Sequence, residues 1–323
     1  MKCYLGIDVG SISTKLVLID TNNQVLFPLY LRTAGNPIGA IQGGLRELNN
    51  KIKNHNPDIE IAGVGTTGSA RYLAGVITGA DLIKNEITAH AKGVCSFFPD
   101  ARTVIEIGGQ DSKIIILENG VAVDFGLNLI CSAGTGAFLD AQAHRLGIPV
   151  EQFGEIALKS KAPTTIGARC TVFSESDMIH KQQVGHLTED IVAGLCQGLA
   201  RNYLNNVAKG KNIQPPIVFL GGVSENIGMR KAFEEALGQR ITVPPYNTVM
   251  GALGVALLVK ENPSPKTKFL GFEISDKDIR CTSFQCQGCP NRCEVIEARI
   301  EGKIVARWGD RCGKWSNLNL EKA

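Results

Sequence analysis

The sequence predicts an α/β protein with two similar lobes and a small cysteine-rich extension at its end. First, groups of short apolar strands are followed by helical patterns along most of the chain. Second, a strand, a glycine turn and another strand occur together twice, each time with a carboxylate at the turn. Third, the composition changes where Pro263 and Pro265 end a predicted helix and mark a linker. We therefore predict a two-lobed part at 1–266 and an extension at 267–323.

Apolar periodicity predicts the strands and helices of the two-lobed part. The chain opens with three adjacent predicted strands, and Asn22 and Asn23 supply the turn before the third. Later strands are predicted at 103–107, 114–117 and 217–220. The predicted helices cover residues 37–54, 69–78, 86–97, 133–146, 151–159, 175–183, 187–209, 225–236 and 247–261.

Composition and charge exclude several classes of partner. The 323 residues carry a formal net charge of +3 with no block of like charge, so we expect no nucleic acid partner. The first residues lack the features of a signal peptide, and no apolar run has the length of a membrane span. We therefore expect a cytoplasmic protein that does not enter a membrane. In that reducing compartment the ten cysteines would serve packing or metal binding rather than disulfides.

The first glycine turn has the composition of a phosphate-binding loop. Asp8 ends the first strand, and the turn after it offers backbone N–H groups and hydroxyls to a phosphate. The carboxylate of Asp8 can also hold Mg²⁺ through water. A plain β-hairpin is the alternative interpretation. The candidate nucleotide-binding residues of this turn are Asp8, Gly10, Ser11, Ser13, Thr14 and Lys15.

Two further glycine turns follow later predicted strands. The turn after strand 103–107 carries Asp111, a second candidate for holding Mg²⁺ through water. The turn after strand 217–220 has two glycines that would let the backbone approach a base or a ribose. Two hairpins that each carry a carboxylate suggest two similar lobes that grip one nucleotide. The candidate residues of these turns are Gly108, Gly109, Gln110, Asp111, Gly221 and Gly222.

Hydrolysis of a bound nucleotide needs charge neutralisation on the phosphates and a positioned water. Lys15 and Mg²⁺ could supply the positive charge. Gln110 and Asp111 are the candidates for positioning the water, and a structural turn residue is an equally weighted interpretation of Gln110. His90 lies on a predicted helix and is interpreted as a hydrogen-bonded core histidine rather than a catalyst.

Two other nucleotide-binding signatures are weaker. The sequence has no G-x-x-x-x-G-K-[ST] motif, which excludes a P-loop. The segment GVGTTG at 63–68 matches G-x-G-x-x-G, but no acidic residue follows about 20 residues later at the end of a clear strand. We therefore interpret 63–68 as a strand-to-helix turn at a lobe boundary.

Two groups of cysteines lie in the two-lobed part. Cys3, Cys95 and Cys196 stand singly among apolar residues and are interpreted as buried packing thiols. Cys131 and Cys170 each stand beside the start of a predicted helix, where the helix dipole favours a thiolate or an anionic cluster. Two ordinary buried cysteines are the alternative. In a symmetric dimer, four such thiols on the two-fold axis could hold one [4Fe–4S] cluster.

The helix starts beside these two thiols have candidate capping residues. Ser132 is the expected N-cap of the helix after Cys131, and Ser174 is the expected N-cap of the helix after Cys170.

The extension contains five closely spaced cysteines, which is a strong metal-binding signal. The C-x-x-C spacing suits zinc, whereas Pro290 after Cys289 is reminiscent of ferredoxin-like iron–sulfur runs. Four ligands suffice, so either Cys281 or Cys312 is spare. Residues 297–309 alternate around a glycine and predict a hairpin. The candidate ligands are Cys281, Cys286, Cys289, Cys293 and Cys312.

The motifs in this order resemble those of a known group of proteins. The three glycine turns, spread over roughly residues 1–262, resemble the two-lobed, ribonuclease H-like fold of actin, Hsp70 and sugar kinases. The segments DVGSISTK, NEITAHAKG, EIGGQDSK, CSAGTGAFLD and ARCTVFSESDM resemble the activator proteins of 2-hydroxyacyl-CoA dehydratases. They are similarly placed in the ATPase subunits of benzoyl-CoA reductases and in the reductases of double-cubane cluster proteins.

The resemblance implies a homodimeric ATPase with one shared [4Fe–4S] cluster, held by Cys131 and Cys170. Such a protein accepts an electron from ferredoxin or flavodoxin and transfers it, as a low-potential electron, to a partner iron–sulfur enzyme. ATP contacts near Gly134 and Gly136 would then move the helix beside Cys131. The implied ATP and Mg²⁺ residues are Asp8, Gly10, Ser11, Ser13, Thr14, Lys15, Gly108, Gly109, Asp111, Gly134, Thr135, Gly136, Gly221 and Gly222.

Two other function classes stay open at this point. A small-molecule kinase of the same fold, such as an N-acetylhexosamine kinase, would release ADP only in the presence of its sugar. An ATP-switched binding protein would use its cysteines only for structure. The five cysteines of the extension depart from the simplest activators, and the sequence does not identify the partner enzyme.

Overall fold

The computed structural model describes residues 1–128 and 131–316. The chain forms two compact units: unit 1 contains residues 1–85 and 255–316, and unit 2 contains Glu86–Gly254. Each unit contains a five-stranded mixed sheet, and unit 1 also contains a three-stranded sheet from the extension. Within the described ranges, no helix combines the length and the apolar character needed to cross a membrane.

Unit 1 is built on an antiparallel meander joined to two parallel strands. Its strands are β1 (Lys2–Val9), β2 (Ser13–Asp20), β3 (Val25–Arg32), β4 (Glu60–Thr67) and β5 (Leu82–Ile83). Its first two helices are α1 (Pro37–His55) and α2 (Arg71–Thr78). The sheet has the order β3-β2-β1-β4-β5, so β1 lies between antiparallel β2 and parallel β4. The three adjacent strands predicted at the start of the chain are confirmed.

Helix α1 covers one face of this sheet. The side chain of Asn36 caps the helix by accepting a hydrogen bond from the backbone N–H of Gly39 at 2.9 Å. Pro37 occupies the first helical position, where a backbone N–H would have no partner within the helix. Ile41 and Leu45 lie on its buried face and join the apolar core of unit 1. Burial of each such side chain contributes about 1.5–3 kcal/mol, so the apolar face of α1 holds the helix on the sheet.

Unit 2 repeats this arrangement. Its strands are β6 (Thr103–Ile107), β7 (Ser112–Glu118), β8 (Val121–Asn128), β9 (Ile217–Leu220) and β10 (Ile241–Thr242). Its helices are α3 (Glu86–Cys95), α4 (Gly136–Leu146), α5 (Val150–Lys159), α6 (Thr171–Gln183), α7 (Thr188–Asn206) and α8 (Ile227–Leu237), and α9 (Met250–Glu261) crosses the division at residue 254. The order β10-β9-β6-β7-β8 places β6 between antiparallel β7 and parallel β9. The strands predicted at 103–107 and 217–220 and the two-sheet α/β fold are confirmed.

Aromatic side chains close the core of unit 2. The rings of Tyr203 and Phe219 pack edge-on against Phe233, with centroid distances of 5.3 and 5.4 Å. The hydroxyl of Tyr203 donates a hydrogen bond to the carbonyl oxygen of Lys113 at 2.6 Å. Helix α7 is thereby joined to β7 directly behind the second glycine turn.

Two predicted N-caps are wrong. Ser132 lies inside the short 3₁₀ helix Ser132–Gly134, and α4 begins only after that segment. Ser174 lies inside α6, where its hydroxyl donates to the carbonyl oxygen of Cys170 at 2.9 Å. Serine hydroxyls also bond to the carbonyl four residues back within a helix, so a serine alone does not mark a helix start. Cys131 and Cys170 themselves occupy the N-cap positions of the 3₁₀ helix and of α6.

The interpretation of 63–68 as a turn at a lobe boundary is also wrong. Residues 63–67 belong to β4, and only Gly68 begins the turn into α2. The division between the units comes later, at residues 85 and 86. Small residues in this strand are explained by close packing, because a side chain at Gly65 would meet the backbone oxygen of Val255 at 2.7 Å.

The extension forms a small antiparallel sheet within unit 1. Its strands are β11 (Ile279–Gln285), β12 (Glu294–Ile300) and β13 (Lys303–Trp308). Glu301 and Gly302 have positive φ angles and close the β12–β13 hairpin, as predicted. The segment that precedes this sheet in the chain is bound to α1. Arg46 of α1 donates to the backbone oxygen of Ser275 at 2.7 Å and pairs with Asp276 at 3.0 Å. The boundary at residues 266 and 267 stays a prediction.

Candidate functional site

The first glycine turn is a tight hairpin above an ion pair. Asp8 and Lys15 face each other across β1 and β2, and the Lys15 ammonium lies 3.1 Å from a carboxylate oxygen of Asp8. The backbone N–H of Gly10 donates to the carbonyl oxygen of Ser13 at 2.9 Å and closes the turn. Asp8 is only 5% exposed, and the Lys15 ammonium is the positive charge beside its carboxylate.

The second glycine turn repeats this geometry in unit 2. Glu106 and Lys113 face each other across β6 and β7, with a carboxylate oxygen and the ammonium 3.1 Å apart. The backbone N–H of Gly108 donates to the carbonyl oxygen of Asp111 at 3.0 Å. The residue at the position of Asp8 in this hairpin is therefore Glu106, and Asp111 is an additional carboxylate at the tip. Pairing of turn residues by sequence missed Glu106 because Asp111, at the tip of the turn, already supplied a carboxylate.

Lys113 is the centre of a buried charge cluster that sequence reasoning also missed. Its ammonium lies 2.7 Å from Glu86, 3.1 Å from Glu106 and 2.8 Å from Asp111. Burial alone would lower the pKa of Lys113, but the three carboxylates together raise its pKa well above the ordinary value. Burial raises the pKa of Glu106, and the charge of Lys113 opposes that change. Lys113 is thus held as a cation that fixes Asp111 at the turn.

Each hairpin is closed from the side by a glycine that follows the neighbouring parallel strand. Gly68 has a φ of 97°, and a Cβ there would lie 2.6 Å from a carboxylate oxygen of Asp8. Gly221 has a φ of 85°, and a Cβ there would lie 2.9 Å from a carboxylate oxygen of Glu106. Only glycine adopts this backbone conformation readily at such close approach. Gly68 is therefore the counterpart of Gly221, which the G-x-G-x-x-G pattern at 63–68 does not reveal.

Two buried hydroxyls beside these turns have no hydrogen-bond partner within the described residues. Thr67 lies next to Asp8 in the β1–β4 register, and the oxygen of its side chain is unpartnered. The hydroxyl of Ser112, at the start of β7, is unpartnered as well. Buried polar groups are rarely left without partners, so such hydroxyls indicate room for a bound ligand or for ordered water. These orphaned hydroxyls fit a phosphate or a hydrated cation at the two turns.

The second glycine turn is bonded directly to the start of α4. The backbone N–H groups of Gly136 and Ala137 donate to the carbonyl oxygens of Gly108 and Gly109 at 2.9 and 2.8 Å. The 3₁₀ helix that carries Cys131 at its N-cap comes immediately before α4. A displacement of the Gly108–Gly109 turn therefore acts on the segment of Cys131 through two hydrogen bonds.

Cys131 differs from the packing thiols of the chain because it is exposed, which rules out an ordinary buried cysteine at that position. Cys170 has the same intermediate exposure as Cys95. Cys3 and Cys196 are buried, as predicted, whereas Cys95 is only partly buried. An exposed thiol at a helix start can reach a metal without a change in the core.

Asn202 of α7 connects the two cysteine segments. It is 6% exposed, and its amide donates a hydrogen bond to the carbonyl oxygen of Ala168, two residues before Cys170. A Cβ on Gly134 would lie 3.4 Å from the side-chain oxygen of Asn202, so this side chain also lies against the Cys131 segment. One buried amide thus contacts both segments, an arrangement that sequence reasoning missed because the residues are far apart in the chain.

The other predicted residues take varied positions around the turns. Ser11 and Gln110 are exposed, whereas Thr14 is buried with its hydroxyl 3.0 Å from that of Thr33. The hydroxyl of Thr135 donates to the carbonyl oxygen of Ser132, which is a structural role. The predicted residues divide between unit 1 (Asp8, Gly10, Ser11, Ser13, Thr14 and Lys15) and unit 2 (Gly108, Gly109, Gln110, Asp111, Gly134, Thr135, Gly136, Gly221 and Gly222).

His90 is a core histidine, as predicted. It is 7% exposed, and its Nδ1 lies 2.9 Å from the carbonyl oxygen of Glu86 within α3. No role in catalysis is needed to explain it.

The cysteines of the extension lie around its three-stranded sheet. Within residues 1–128 and 131–316, no three His, Cys, Asp or Glu side chains stand together in an arrangement that could hold a metal ion. Cys286 is nevertheless in an unusual setting: hydrogen bonds from the Trp315 indole and from the Gly288 backbone lower its pKa. The thiolate is the form that binds metals, and a lowered pKa favours the thiolate.

Comparisons with known proteins agree with this geometry. Residues 5–259 match the sequence profile of the BadF/BadG/BcrA/BcrD ATPase family, and the match ends before the extension. The (R)-2-hydroxyglutaryl-CoA dehydratase activating ATPase of Acidaminococcus fermentans is 35% identical over 260 residues, which cover 80% of this chain and 97% of that protein.

Two solved structures are similar over the same part of the chain. Component A of the Acidaminococcus fermentans (R)-2-hydroxyglutaryl-CoA dehydratase has a TM-score of 0.74 at 33% identity, covering 81% of this chain and 99% of that one. The activator of the 2-hydroxyisocaproyl-CoA dehydratase from Clostridium difficile, solved with bound ADPNP, has a TM-score of 0.73 at 32% identity, covering 80% and 95%. These likenesses confirm the predicted actin- and sugar-kinase-like ATPase fold.

Proposed function

Because the chain belongs to the BadF/BadG/BcrA/BcrD ATPase family, we propose that it is an ATP-dependent activator that reduces a partner iron–sulfur enzyme. ATP hydrolysis to ADP and phosphate is coupled to the transfer of one low-potential electron from a reduced ferredoxin or flavodoxin to the partner. The observation that carries this proposal is the pair of hydrogen bonds joining the Gly108–Gly109 turn to the start of α4. Those bonds link a nucleotide-binding turn to the segment of an exposed cysteine.

The residues proposed to contact ATP lie in the hairpin of unit 1, and in the hairpin and the third glycine turn of unit 2. A structural relative has been solved with bound ADPNP, which supports a nucleotide as the ligand. Lys15 neutralises phosphate charge, and the carboxylates of Asp8 and Asp111 hold Mg²⁺ through water. Gly222, where a Cβ would meet open space, leaves the backbone free of a side chain for a base or a ribose, and Gly221 makes the turn possible by its close approach to β6.

Asp111 is the better placed of the two candidates for orienting the attacking water. Its carboxylate is held 2.8 Å from the Lys113 ammonium, so its direction is set before the substrate binds. Gln110 is exposed at the tip of the same turn and would contact the nucleotide from outside. We assign the water-orienting role to Asp111 and a supporting role to Gln110.

Cys131 and Cys170 fit a shared [4Fe–4S] cluster in a homodimer. Cys131 is exposed and Cys170 is partly exposed, both stand at N-cap positions, and both segments contact the buried amide of Asn202. Two protomers would contribute four thiolates, the number that such a cluster requires. The cluster, when bound, supplies the one-electron carrier. The chain holds the thiolates, orients them, and changes their surroundings when ATP replaces ADP.

The partner is proposed from the relatives. Proteins similar to this chain are named as activators of hydroxyacyl-CoA dehydratases, and a further relative belongs to the benzoyl-CoA reductase of Thauera aromatica. We propose a dehydratase or reductase of this type, or a double-cubane cluster protein, as the electron acceptor. The extension, which the family match does not cover, is proposed to hold a second metal site, Zn²⁺ or iron–sulfur, through four of its five cysteines.

Anaerobic purification tests the electron-carrier part of this proposal. The wild-type chain should be a brown dimer with broad visible absorption that reductant bleaches, and it should contain about four irons per dimer in addition to any iron in the extension. Cys131→Ala should remove this absorption because one ligand of each protomer is lost. Cys95→Ala is the matched control, since Cys95 is partly buried and far from the helix starts in sequence, and should keep the colour.

ATP turnover separates this proposal from its alternative. The brown protein should hydrolyse ATP and reduce a hydroxyacyl-CoA dehydratase only when ATP, Mg²⁺ and a low-potential donor are all present. A protein that stays colourless after iron–sulfur reconstitution and releases ADP only with a sugar would be a small-molecule kinase instead.

A further inference from the structure

The β11–β12 hairpin brings two of the five cysteines of the extension to the same place. The strands pair up to Gln285 and Glu294, and beyond them the backbone N–H of Cys286 donates to the carbonyl oxygen of Cys293 at 2.8 Å. Cys286 and Cys293 therefore face each other at the base of the loop between these strands. Cys289 lies within that loop, three residues from Cys286.

The segment after β13 folds back onto the same end of the sheet. Asp310 accepts hydrogen bonds from the backbone N–H groups of Trp315, at 2.9 Å, and Ser316, at 3.3 Å, and so curls the segment into a compact loop. The ring of Trp315 packs edge-on against Phe284 at 4.9 Å, and its indole N–H donates to the sulfur of Cys286 at 3.3 Å. Cys312 is inside this loop, where its thiol is exposed and lies 3.8 Å from a carboxylate oxygen of Asp310.

The sulfur of Cys286 already has the surroundings of a metal-bound thiolate. It accepts a hydrogen bond from the backbone N–H of Gly288 at 3.4 Å, besides the one from the Trp315 indole. N–H groups directed at a sulfur stabilise its negative form. The Lys314 ammonium lies close to this sulfur as well. A Cβ built on Gly288 would lie 3.4 Å from the Cys286 sulfur and 3.5 Å from the Lys314 ammonium. Arg307 stacks over the Trp315 ring at 5.3 Å.

Cys281 cannot join this group. It pairs with Ala298 in the middle of β11, five residues before Cys286. A strand rises about 3.3 Å per residue, so the two α-carbons are separated by roughly 16 Å, and an odd spacing directs their side chains to opposite faces. Sulfurs that bind one zinc ion, with bonds of about 2.3 Å, lie within about 4 Å of each other.

We propose that Cys286, Cys289, Cys293 and Cys312 hold one Zn²⁺ ion as a tetrathiolate, and that Cys281 is the spare cysteine. This rests on the proposed metal binding by the extension and is independent of the ATPase and of the shared cluster. The exposed thiols of Cys289 and Cys312 must turn inward as the metal binds, since folding of such loops is coupled to binding.

Zinc fits this ligand set better than a second iron–sulfur cluster. The ligands come from two separate loops, with spacings of two, three and eighteen residues between successive cysteines. Bacterial ferredoxin runs instead use a C-x₂-C-x₂-C spacing within one segment. The plant-type C-x₄-C-x₂-C spacing matches residues 281–289 but would need Cys281, which β11 holds away from the other ligands. Four thiolates and one Zn²⁺ leave two negative charges. The Lys314 ammonium supplies a cation beside this loop, whereas Arg307 is already paired with Glu297. Bound zinc would tie the β11–β12 loop to the segment after β13.

Metal analysis of the full-length chain tests the assignment. Wild type and Cys281→Ala should each contain about one zinc per chain. Cys289→Ala and Cys312→Ala should lose it. Cys131→Ala should lose iron and keep zinc, so failure of the shared cluster and failure of the zinc site give different results. Zinc that persists in Cys312→Ala, or that disappears in Cys281→Ala, would overturn the assignment.

Alkylation of the unmodified protein gives the same answer if a variant does not fold. Iodoacetamide followed by mass spectrometry should label the four proposed ligands only after a chelator has removed the metal. Labelling of Cys281 should be the same with and without the chelator. Equal labelling of Cys289 and Cys312 before and after chelation, or extension cysteines that release iron in place of zinc, would contradict the proposal.

Discussion

Thr67 is the residue for which the structure gives the sharpest functional expectation. Its buried hydroxyl has no hydrogen-bond partner within the described residues and lies next to Asp8. Thr67→Val removes a group that does nothing for the fold, so the melting temperature should not fall. If the hydroxyl contacts phosphate or hydrated Mg²⁺, kcat/KM for ATP should fall by about tenfold, or about 1.4 kcal/mol.

Thr66 is the matched control for this change. Its buried hydroxyl donates to the carbonyl oxygen of Arg71 at 3.0 Å. Thr66→Val should therefore destabilise the fold by about 1–3 kcal/mol with a smaller effect on ATP turnover once folded. Thermal unfolding and steady-state kinetics of the two variants test whether Thr66→Val loses stability while Thr67→Val loses ATP turnover. A Thr67→Val enzyme with wild-type kcat/KM would exclude Thr67 from the nucleotide site.

Lys113 should be essential both for the fold of unit 2 and for the direction of Asp111. Lys113→Met leaves Glu86, Glu106 and Asp111 near one another without a cation, which costs about 3–5 kcal/mol when a buried pair loses one partner. Urea unfolding measures that loss. Lys211→Met is the control, because Lys211 pairs with Asp124 near the surface and such a pair contributes about 1 kcal/mol or less. Equal losses in the two variants would contradict a buried cluster.

At the scale of one turn, Gly221 and Gly222 should respond differently to the same substitution. A methyl group at Gly221 would lie 2.2 Å from the carbonyl oxygen of Ile107 at a positive φ, whereas at Gly222 it would have open space. Gly221→Ala should cost at least about 2 kcal/mol of stability. Gly222→Ala should fold normally, and it should raise KM for ATP if the methyl group takes space that the proposed nucleotide needs.

Unfolding curves and ATP kinetics of both variants test this difference. A Gly221→Ala chain as stable as Gly222→Ala would show that the close approach to β6 does not exist.

Helix α7 should hold the two cysteine segments through Asn202. Asn202→Ala leaves the carbonyl of Ala168 without its donor and loosens the contact with Gly134, so the segments of Cys131 and Cys170 should move more freely. We expect the cluster to lose iron several times faster than in wild type. Asn205→Ala, on the exposed side of the same helix, should lose iron at the wild-type rate. Equal rates in the two variants would remove Asn202 from the support of the cluster segments.

At the scale of the whole molecule, the parts that could be predicted are those that depend on local pattern. Strand 103–107 was predicted with its correct bounds because a short apolar run ends at a glycine turn. The β12–β13 hairpin was predictable for the same reason. Two similar hairpins predicted two similar lobes, and each unit does place its hairpin beside a parallel strand.

The parts that could not be predicted depend on contacts between distant segments. Thr67 lies beside Asp8 only because β4 pairs with β1, and Asn202 meets Ala168 only because α7 packs beside α6. Glu106 was missed since Asp111 at the turn offered another carboxylate, and only the pairing of β6 with β7 places Glu106 opposite Lys113. The exposure of Cys131 was not predictable either, because cysteines are usually buried and its spacing favoured that reading.

Coupling between nucleotide and cluster is tested most directly by the accessibility of the cluster iron. In the anaerobic holoprotein, the rate at which a ferrous chelator removes iron should change several-fold when a non-hydrolysable ATP analogue replaces ADP. That change is expected because the Gly108–Gly109 turn is hydrogen-bonded to the start of α4, next to Cys131. Identical rates with ADP and with the analogue, in a protein that binds both and holds its cluster, would contradict the proposed link between the ATP site and the redox centre.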